Sequence, residues 1–514
     1  MTDSVAKRLL VVDSIVVMPG ASPGDTASIV FEGPIGAKTP GSGPPGVILL
    51  HAPRQSLTAV VTAFDSRWRA TVCLSVANWN GTVLPARSGL YGLRAFNSNG
   101  ERMSLQNHSQ SPAAELLPAV CRVSFICSDS GIDVTLSAPL TDRERGAQQQ
   151  ASLESDYRST KYKPLNAVFF ESFYGQTASC NPLAIDRALA RIRPDVMRYW
   201  SVSDASVEVP PGAIALIDGS AEWWRIRGSA RLLVVNDWLR KRFKKRPDQT
   251  VLQTWHGTML KKLALSRVKL GLRPTIATLR ERARWDILLA QNNYSKKIFR
   301  CAYAFAGPVW QEGYPRDDVL VSKDLSGLKK RLGIPADKTV VLYAPTWRDD
   351  RPDRVDHLDV PRFAELLGDG FVTLIRGHSR SLVPGADIHA PNVIDVTGYP
   401  DVSELFIAAD VLITDYSSVM FDFTVTGKPI FFFTPDLEHY RHNQRGFYFD
   451  LLPVAPGPVV SSLEKLISLL NDRNAVAAEY GVRYRAWQQR FNPRDDGGAS
   501  ERVVRRLIAE GILT

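Results

Sequence analysis

Apolar runs in this chain repeatedly end in residues that can handle protons or bind anions. The run at 250–253 leads into Thr254-Trp255-His256-Gly257-Thr258-Met259-Leu260. A histidine at the carboxyl end of a strand can serve as a general base, and a glycine beside it lets the backbone approach a ligand. Taken alone, such a histidine is more often a satisfied polar residue. Three further runs end in the same way: 339–343 in Ala344-Pro345-Thr346-Trp347-Arg348, 371–375 in Arg376-Gly377-His378, and 411–414 in Asp415-Tyr416-Ser417-Ser418. Buried strands do not need polar residues at three neighbouring ends, whereas a nucleotide diphosphate does. Helical character over 419–426 places Ser417 and Ser418 where backbone N–H groups favour a phosphate, with Asp422 one helical turn on. A serine N-cap on an ordinary helix is the plain alternative for that turn.

The elements that must hold these residues alternate. Strand-like runs at 167–170, 213–217, 232–235 and 250–253 are separated by helical stretches, one starting at Pro182. The rhythm resumes from 339 with runs at 371–375, 393–396 and 411–414, a helix at 402–409, and a closing run at 429–433. Such alternation predicts parallel sheets covered by helices. Residues 1–145 differ: short apolar runs at 9–12, 47–50, 59–62 and 123–126 lie between Gly, Pro, Ser and Asn turns, which predicts a small sandwich. No catalytic cluster falls there, and the reading favours a structural appendage over an acceptor-binding module. Thr141 to Tyr162, with Arg143-Glu144-Arg145 and Gln148-Gln149-Gln150, reads as a linker. The tail predicts helices at 462–470, 475–489 and 501–509, the last capped by Ser500.

The chain has 514 residues, enough for two or three domains, with the apolar and charged fractions of a water-soluble globular protein. Five scattered cysteines fit free thiols in a reducing compartment, and neither a signal peptide nor a bilayer-spanning run is expected. A net charge of +10 suggests anionic partners. The basic residues concentrate at Arg240-Lys241-Arg242 and Lys244-Lys245-Arg246, then at Lys261, Lys262, Arg267, Lys269, Arg273, Arg280, Arg282 and Arg284, interleaved with leucine and isoleucine. That pattern suits either an anionic membrane surface or a solvated helix face.

Taken together, Gln253-Thr254-Trp255-His256-Gly257-Thr258, Gly313-Tyr314-Pro315-Arg316-Asp317, Ala344-Pro345-Thr346-Trp347-Arg348 and 412–422 resemble the CDP-glycerol glycerophosphotransferase family of teichoic acid polymerases and primases. The resemblance runs from about Asn166 to the carboxyl terminus. It implies a GT-B fold, two Rossmann-like domains at 160–320 and 335–485, preceded here by the all-β domain. Helix 486–514 would return to the first of the two. It further implies glycerol phosphate transfer from CDP-glycerol to a hydroxyl of a lipid-linked polymer acceptor, at the cytoplasmic face of the membrane, with no cofactor and no metal. His256 and His378 would be catalytic. Gly257, Thr258, Met259, Leu260, Arg316, Thr346, Trp347, Arg376, Gly377, Ser417, Ser418 and Asp422 would bind substrate. Met259 stands where the family commonly has proline after His-Gly-Thr, and Ser379 where proline follows the second histidine.

Other readings remain at this level. A nucleotide-sugar transferase on the same fold would release UDP instead of CMP. A non-catalytic membrane or polymer binder would have no reason to keep His256, His378, Ser417 and Ser418 together. No nucleic-acid partner is expected, because the basic residues lack the aromatic platforms of single-strand readers.

Overall fold

The computed structural model describes residues 9–20, 26–35, 45–239, 243–267, 271–322, 327–346, 358–377, 390–439 and 446–513. They form two compact units. The first comprises Met1–Asp156 with Val202–Glu208 and Leu216–Trp223, and the second the remainder.

In the first unit, alternating strands bury one face around Trp68, Tyr91, Phe31 and Val134. Nine strands pair antiparallel in one continuous order, and the buried core draws on strands from both halves of it. The long strand Gln55–Phe64 links those halves. Its first half pairs with Val47–Ala52 and its second with Arg67–Cys73, so one strand joins both halves of the sheet. The expected linker is corrected. Ala147–Ser159 is an α-helix, with a single buried residue, Tyr157. Its Gln, Ala, Leu and Glu residues are good helix formers without an apolar stripe, so periodicity gives no signal there.

The second unit contains two parallel sheets. In the first, six successive strands run Met197–Val202, Leu165–Glu171, Ala230–Val235, Thr250–Gln253, Ile287–Ala290 and Val309–Gln311. The second runs Val393–Asp395, Phe371–Ile375, Thr339–Ala344, Val411–Thr414, Ile430–Phe433 and Val459–Val460. In each, the opening strand lies inside the sheet, and later strands are added first on one side and then on the other. That reversal opens a crevice at the strands' carboxyl ends. It falls between Leu165–Glu171 and Ala230–Val235 in one sheet, and between Thr339–Ala344 and Val411–Thr414 in the other.

The chain's last helices tie the two sheets together. Trp487 and Phe491, on Arg473–Phe491, pack against Phe421, while Tyr294 meets Phe491 edge-on at 5.3 Å. Ala499–Ala509 then packs on Cys180–Ile192. Ser500 does not cap it. Gly498 holds that position, and the Ser500 hydroxyl donates instead to Asp318 Oδ2 at 2.5 Å. The anchoring carboxylate lies far away in sequence, which no local cap signal reveals. Phe491 is fully buried among four aromatic rings, so Phe491→Ala should lower unfolding free energy by about 3–5 kcal/mol in urea denaturation.

Candidate active site

The first crevice is built around Asn236, at the end of Ala230–Val235. Its Oδ1 accepts from Phe173 N at 2.9 Å, and its Nδ2 donates to Ser172 Oγ at 2.9 Å. Its main-chain oxygen lies 2.6 Å from His256 Nδ1. A carbonyl oxygen only accepts, so Nδ1 carries a proton, and in the neutral ring the lone pair is on Nε2. The ring stacks on Trp255 at 5.1 Å and is flanked by Phe173 at 5.6 Å. The backbone is strained around this point. Phe173, Tyr174, Cys180 and Trp255 all have positive φ without being glycine, and such outliers concentrate at functional sites.

Of the loop after Trp255, His256 is the partly exposed member, while Gly257, Thr258, Met259 and Leu260 are buried. The Thr258 hydroxyl is bonded inward, to Gln291 Oε1 at 2.5 Å and Ser295 Oγ at 3.0 Å. Met259 O accepts from Tyr294 Oη at 2.8 Å, and Leu260 O from Tyr448 N at 2.8 Å. These residues shape the loop from beneath.

In the second crevice, Asp415 fastens two strand ends together. It accepts from Thr346 N at 2.9 and 3.0 Å and from Tyr416 N at 2.5 Å. Ser417 and Ser418 are half-buried, and Ser418 opens the helix Val419–Phe423 without a side-chain capping bond. That helix is five residues long and continues as a 3-10 turn through Thr426. The Arg376 guanidinium is turned onto main-chain oxygens, Tyr399 O at 2.7 Å and Val396 O at 3.3 Å. Burial lowers its pKa to about 10, so it stays charged at neutral pH. Gly377 N donates to Thr397 Oγ1 at 3.0 Å. Trp347 and His378 lie outside the described residues.

The two crevices meet at Gly257. Its φ is +156°, and a Cβ built there would stand 2.9 Å from Ser418 Oγ and 3.6 Å from Arg316 Nη2. Arg316 spans the junction: Nη1 donates to His256 O at 2.9 Å and Nη2 to Asp422 Oδ2 at 2.5 Å. The expected substrate residues Arg316 and Asp422 therefore bond to each other. Burial opposes the guanidinium charge, yet Asp422 outweighs it and the Arg316 pKa stands well above its ordinary value. Burial also lifts Asp422, with Arg316 opposing the rise.

Sequence reasoning missed the supports. Asn181 Nδ2 holds the main-chain oxygens of Thr254 and Trp255, both at 3.1 Å, and its Oδ1 accepts from Arg316 N at 3.1 Å. Gln291 Nε2 donates to Asp317 Oδ2 at 3.0 Å and Asp495 Oδ2 at 2.8 Å. Burial pushes Asp495 up to about 6. Their local sequence carries no motif. The one available hint was Asp317 itself, next to Arg316.

The sequence pattern of the CDP-Glycerol:Poly(glycerophosphate) glycerophosphotransferase family matches residues 156–509. The chain is 35% identical over 367 residues to a teichoic acid glycerol-phosphate transferase of Staphylococcus aureus, covering 67% of this chain and 93% of that one. It is 36% identical over 364 residues to a teichoic acid poly(glycerol phosphate) polymerase of Bacillus subtilis, covering 66% of this chain. The match spans about half of that polymerase, 48% of its length. Among solved structures, the wall teichoic acid polymerase TagF superposes with a TM-score of 0.66 at 34% identity, over 71% of this chain and 94% of that chain. A histidine-to-asparagine variant of TagF soaked with CDPG gives the same TM-score, 0.66, at 35% identity, over 71% of this chain and 94% of that chain.

The geometry at Gly257 has a direct test. Gly257→Ala should cost about 1–3 kcal/mol in urea unfolding, because the new methyl meets Ser418 and the backbone is left-handed. Gly370→Ala, exposed and with nothing within 4 Å of the new methyl, should change stability by about 0.5 kcal/mol or less.

Proposed function

Because the chain belongs to the CDP-glycerol:poly(glycerophosphate) glycerophosphotransferase family, we propose that it transfers glycerol phosphate from CDP-glycerol to a hydroxyl of a lipid-linked acceptor in teichoic acid synthesis. The observation that carries this reading is the meeting of the two crevices. A histidine whose Nδ1 is held by a carbonyl stands at the end of one sheet, and Ser418 of the other lies against Gly257, the next residue in the chain. That arrangement supports a GT-B reading, with the donor on the second sheet and the acceptor approaching along the first.

In the reaction, the acceptor oxygen attacks the phosphorus that bears glycerol, and His256 Nε2 takes the hydroxyl proton. The new P–O bond forms as the diphosphate bridge to CMP breaks, and CMP leaves. Asn236 O holds the ring in the tautomer this needs. Ser417 and Ser418 offer hydroxyl donors to the diphosphate and Arg376 a positive charge, while Thr346 and Gly377, whose main-chain N–H groups bond to Asp415 and Thr397, shape the crevice beside them. Trp347 and His378 join that assignment on sequence grounds.

The acceptor's lipid requires a membrane surface nearby. Among the described residues no helix is long and apolar enough to cross a membrane. The helix Leu272–Arg282 instead exposes Leu272 (81%) and Ile276 (46%) beside Arg273 and Arg280. An apolar stripe flanked by cations suits the cytoplasmic, anionic face of a bilayer.

Purified protein given CDP-glycerol and a lipid-linked glycerol phosphate acceptor should release CMP, and His256→Ala should slow release by about 10²–10⁴-fold. Turnover of UDP-glucose with silence towards both CDP-glycerol and CDP-ribitol would favour the nucleotide-sugar reading. The protein should also sediment with phosphatidylglycerol vesicles more than with phosphatidylcholine vesicles. The double substitution Leu272→Asp and Ile276→Asp should remove about tenfold or more of that binding.

A further inference from the structure

The mechanism above leaves one buried group unused. Asp317, Asp422 and Asp495 are buried together with a single guanidinium, Arg316, which is 8% exposed. Asp495 is well supplied with donors: Tyr314 N at 2.8 Å, Gln291 Nε2 at 2.8 Å and Asn492 Nδ2 at 3.0 Å. Asp422 Oδ2 takes Arg316 Nη2 at 2.5 Å, and Asp317 Oδ2 takes Gln291 Nε2 at 3.0 Å. The Oδ1 atoms of Asp317 and Asp422 are buried and receive no N–H or hydroxyl donor. Yet both carboxyl groups crowd the same guanidinium, Asp422 Oδ2 at 2.5 Å from Arg316 Nη2 and Asp317 Oδ1 at 4.0 Å from its Nε. Two buried carboxylates cannot face each other while both are ionised, and one proton between them satisfies both. Asp422 is the partner of Arg316, so the proton rests on Asp317.

We propose that Asp317 is a positioning residue: it donates a hydrogen bond to Asp422, Asp422 fixes Arg316, and Arg316 holds the His256 main chain. The chain of contacts crosses from the Pro315–Asp317 turn of the first half to the Val419–Phe423 helix of the second, then returns to the His256 loop. Gln291 closes the circuit, joining Asp317 to Thr258 two residues beyond His256. The surroundings agree. Burial, then Asp422 and Asp495, hold Asp317 well above the ordinary carboxylate range, with Arg316 opposing and Cys180 adding to the rise. Asp317 never meets solvent, so it acts through its neighbours.

The kinetic part of the test rests on the transferase reading; the exchange part does not. Four proteins are compared: wild type, Asp317→Asn, Asp317→Leu and Asp422→Asn. CMP release is measured over a range of CDP-glycerol concentrations, together with hydrogen–deuterium exchange of residues 255–258. Asp317→Asn keeps a donor where the acid O–H stood, so kcat should stay within about threefold of wild type with unchanged exchange. Asp317→Leu and Asp422→Asn should lower kcat by about 30-fold or more with KM within about threefold, and speed exchange about tenfold. Asp317→Asn as damaging as Asp317→Leu would overturn the proposal, because a carboxylate would then be required. So would a raised KM at unchanged kcat, which marks direct donor binding, or wild-type behaviour in Asp317→Leu. If Asp317→Leu fails to fold, Asp317→Asn against Asp422→Asn still decides, each being a single-atom exchange. If wild type releases no CMP, the transferase reading fails while the exchange data judge the positioning role alone.

Discussion

A guanidinium and a carboxylate 106 residues apart meet at 2.5 Å with almost no solvent around them, and the site is arranged about that contact. Removing either partner would leave an uncompensated buried charge, which typically costs about 3–5 kcal/mol. Among the described residues Arg316 has no alternative counterion as near, since Asp317 Oδ1 stands at 4.0 Å from its Nε. Its second nitrogen therefore has a fixed place, against the His256 main chain. The catalytic loop inherits its position from an ion pair made beneath it.

The two sheets impose the second constraint. Each reverses its strand order once, so each opens a single crevice at its carboxyl edge. A functional site shared between them must join those two openings. The glycine at 257 makes that possible, because any side chain there would occupy the space that Ser418 fills. Strained backbone at Phe173, Tyr174, Cys180 and Trp255 surrounds the same opening. The supports that over-determine it, Asn181 and Asn236, are buried amides whose donors and acceptors are spent on main-chain and side-chain partners of neighbouring loops.

The C-terminal helices add a third tie. Trp487 and Phe491 wedge between aromatic rings drawn from both halves, and Asp495 reaches the Tyr314 main chain. A histidine at one sheet edge and two serines at the other keep their spacing through this packing as well as through the buried ion pair.

Much of the architecture was legible from residues alone. The Thr250–Gln253 strand, the alternation that built both parallel sheets, and the polar ends at Thr346, Arg376 and Ser417 follow from short-range pattern, because strand and helix periods are local properties. What the pattern could not supply was direction. Arg316 and Asp422 read as groups offered to a substrate, and the fold turns them onto each other. Thr258 reads as a ligand, and its hydroxyl bonds inward to Gln291. The helix at Ala147–Ser159 gave no signal because it buries one residue. The sequence by itself determined which elements form and which chemistries stand at their ends. Only the tertiary structure decided which charges pair across a hundred residues, because that pairing depends on distances created after the chain has folded.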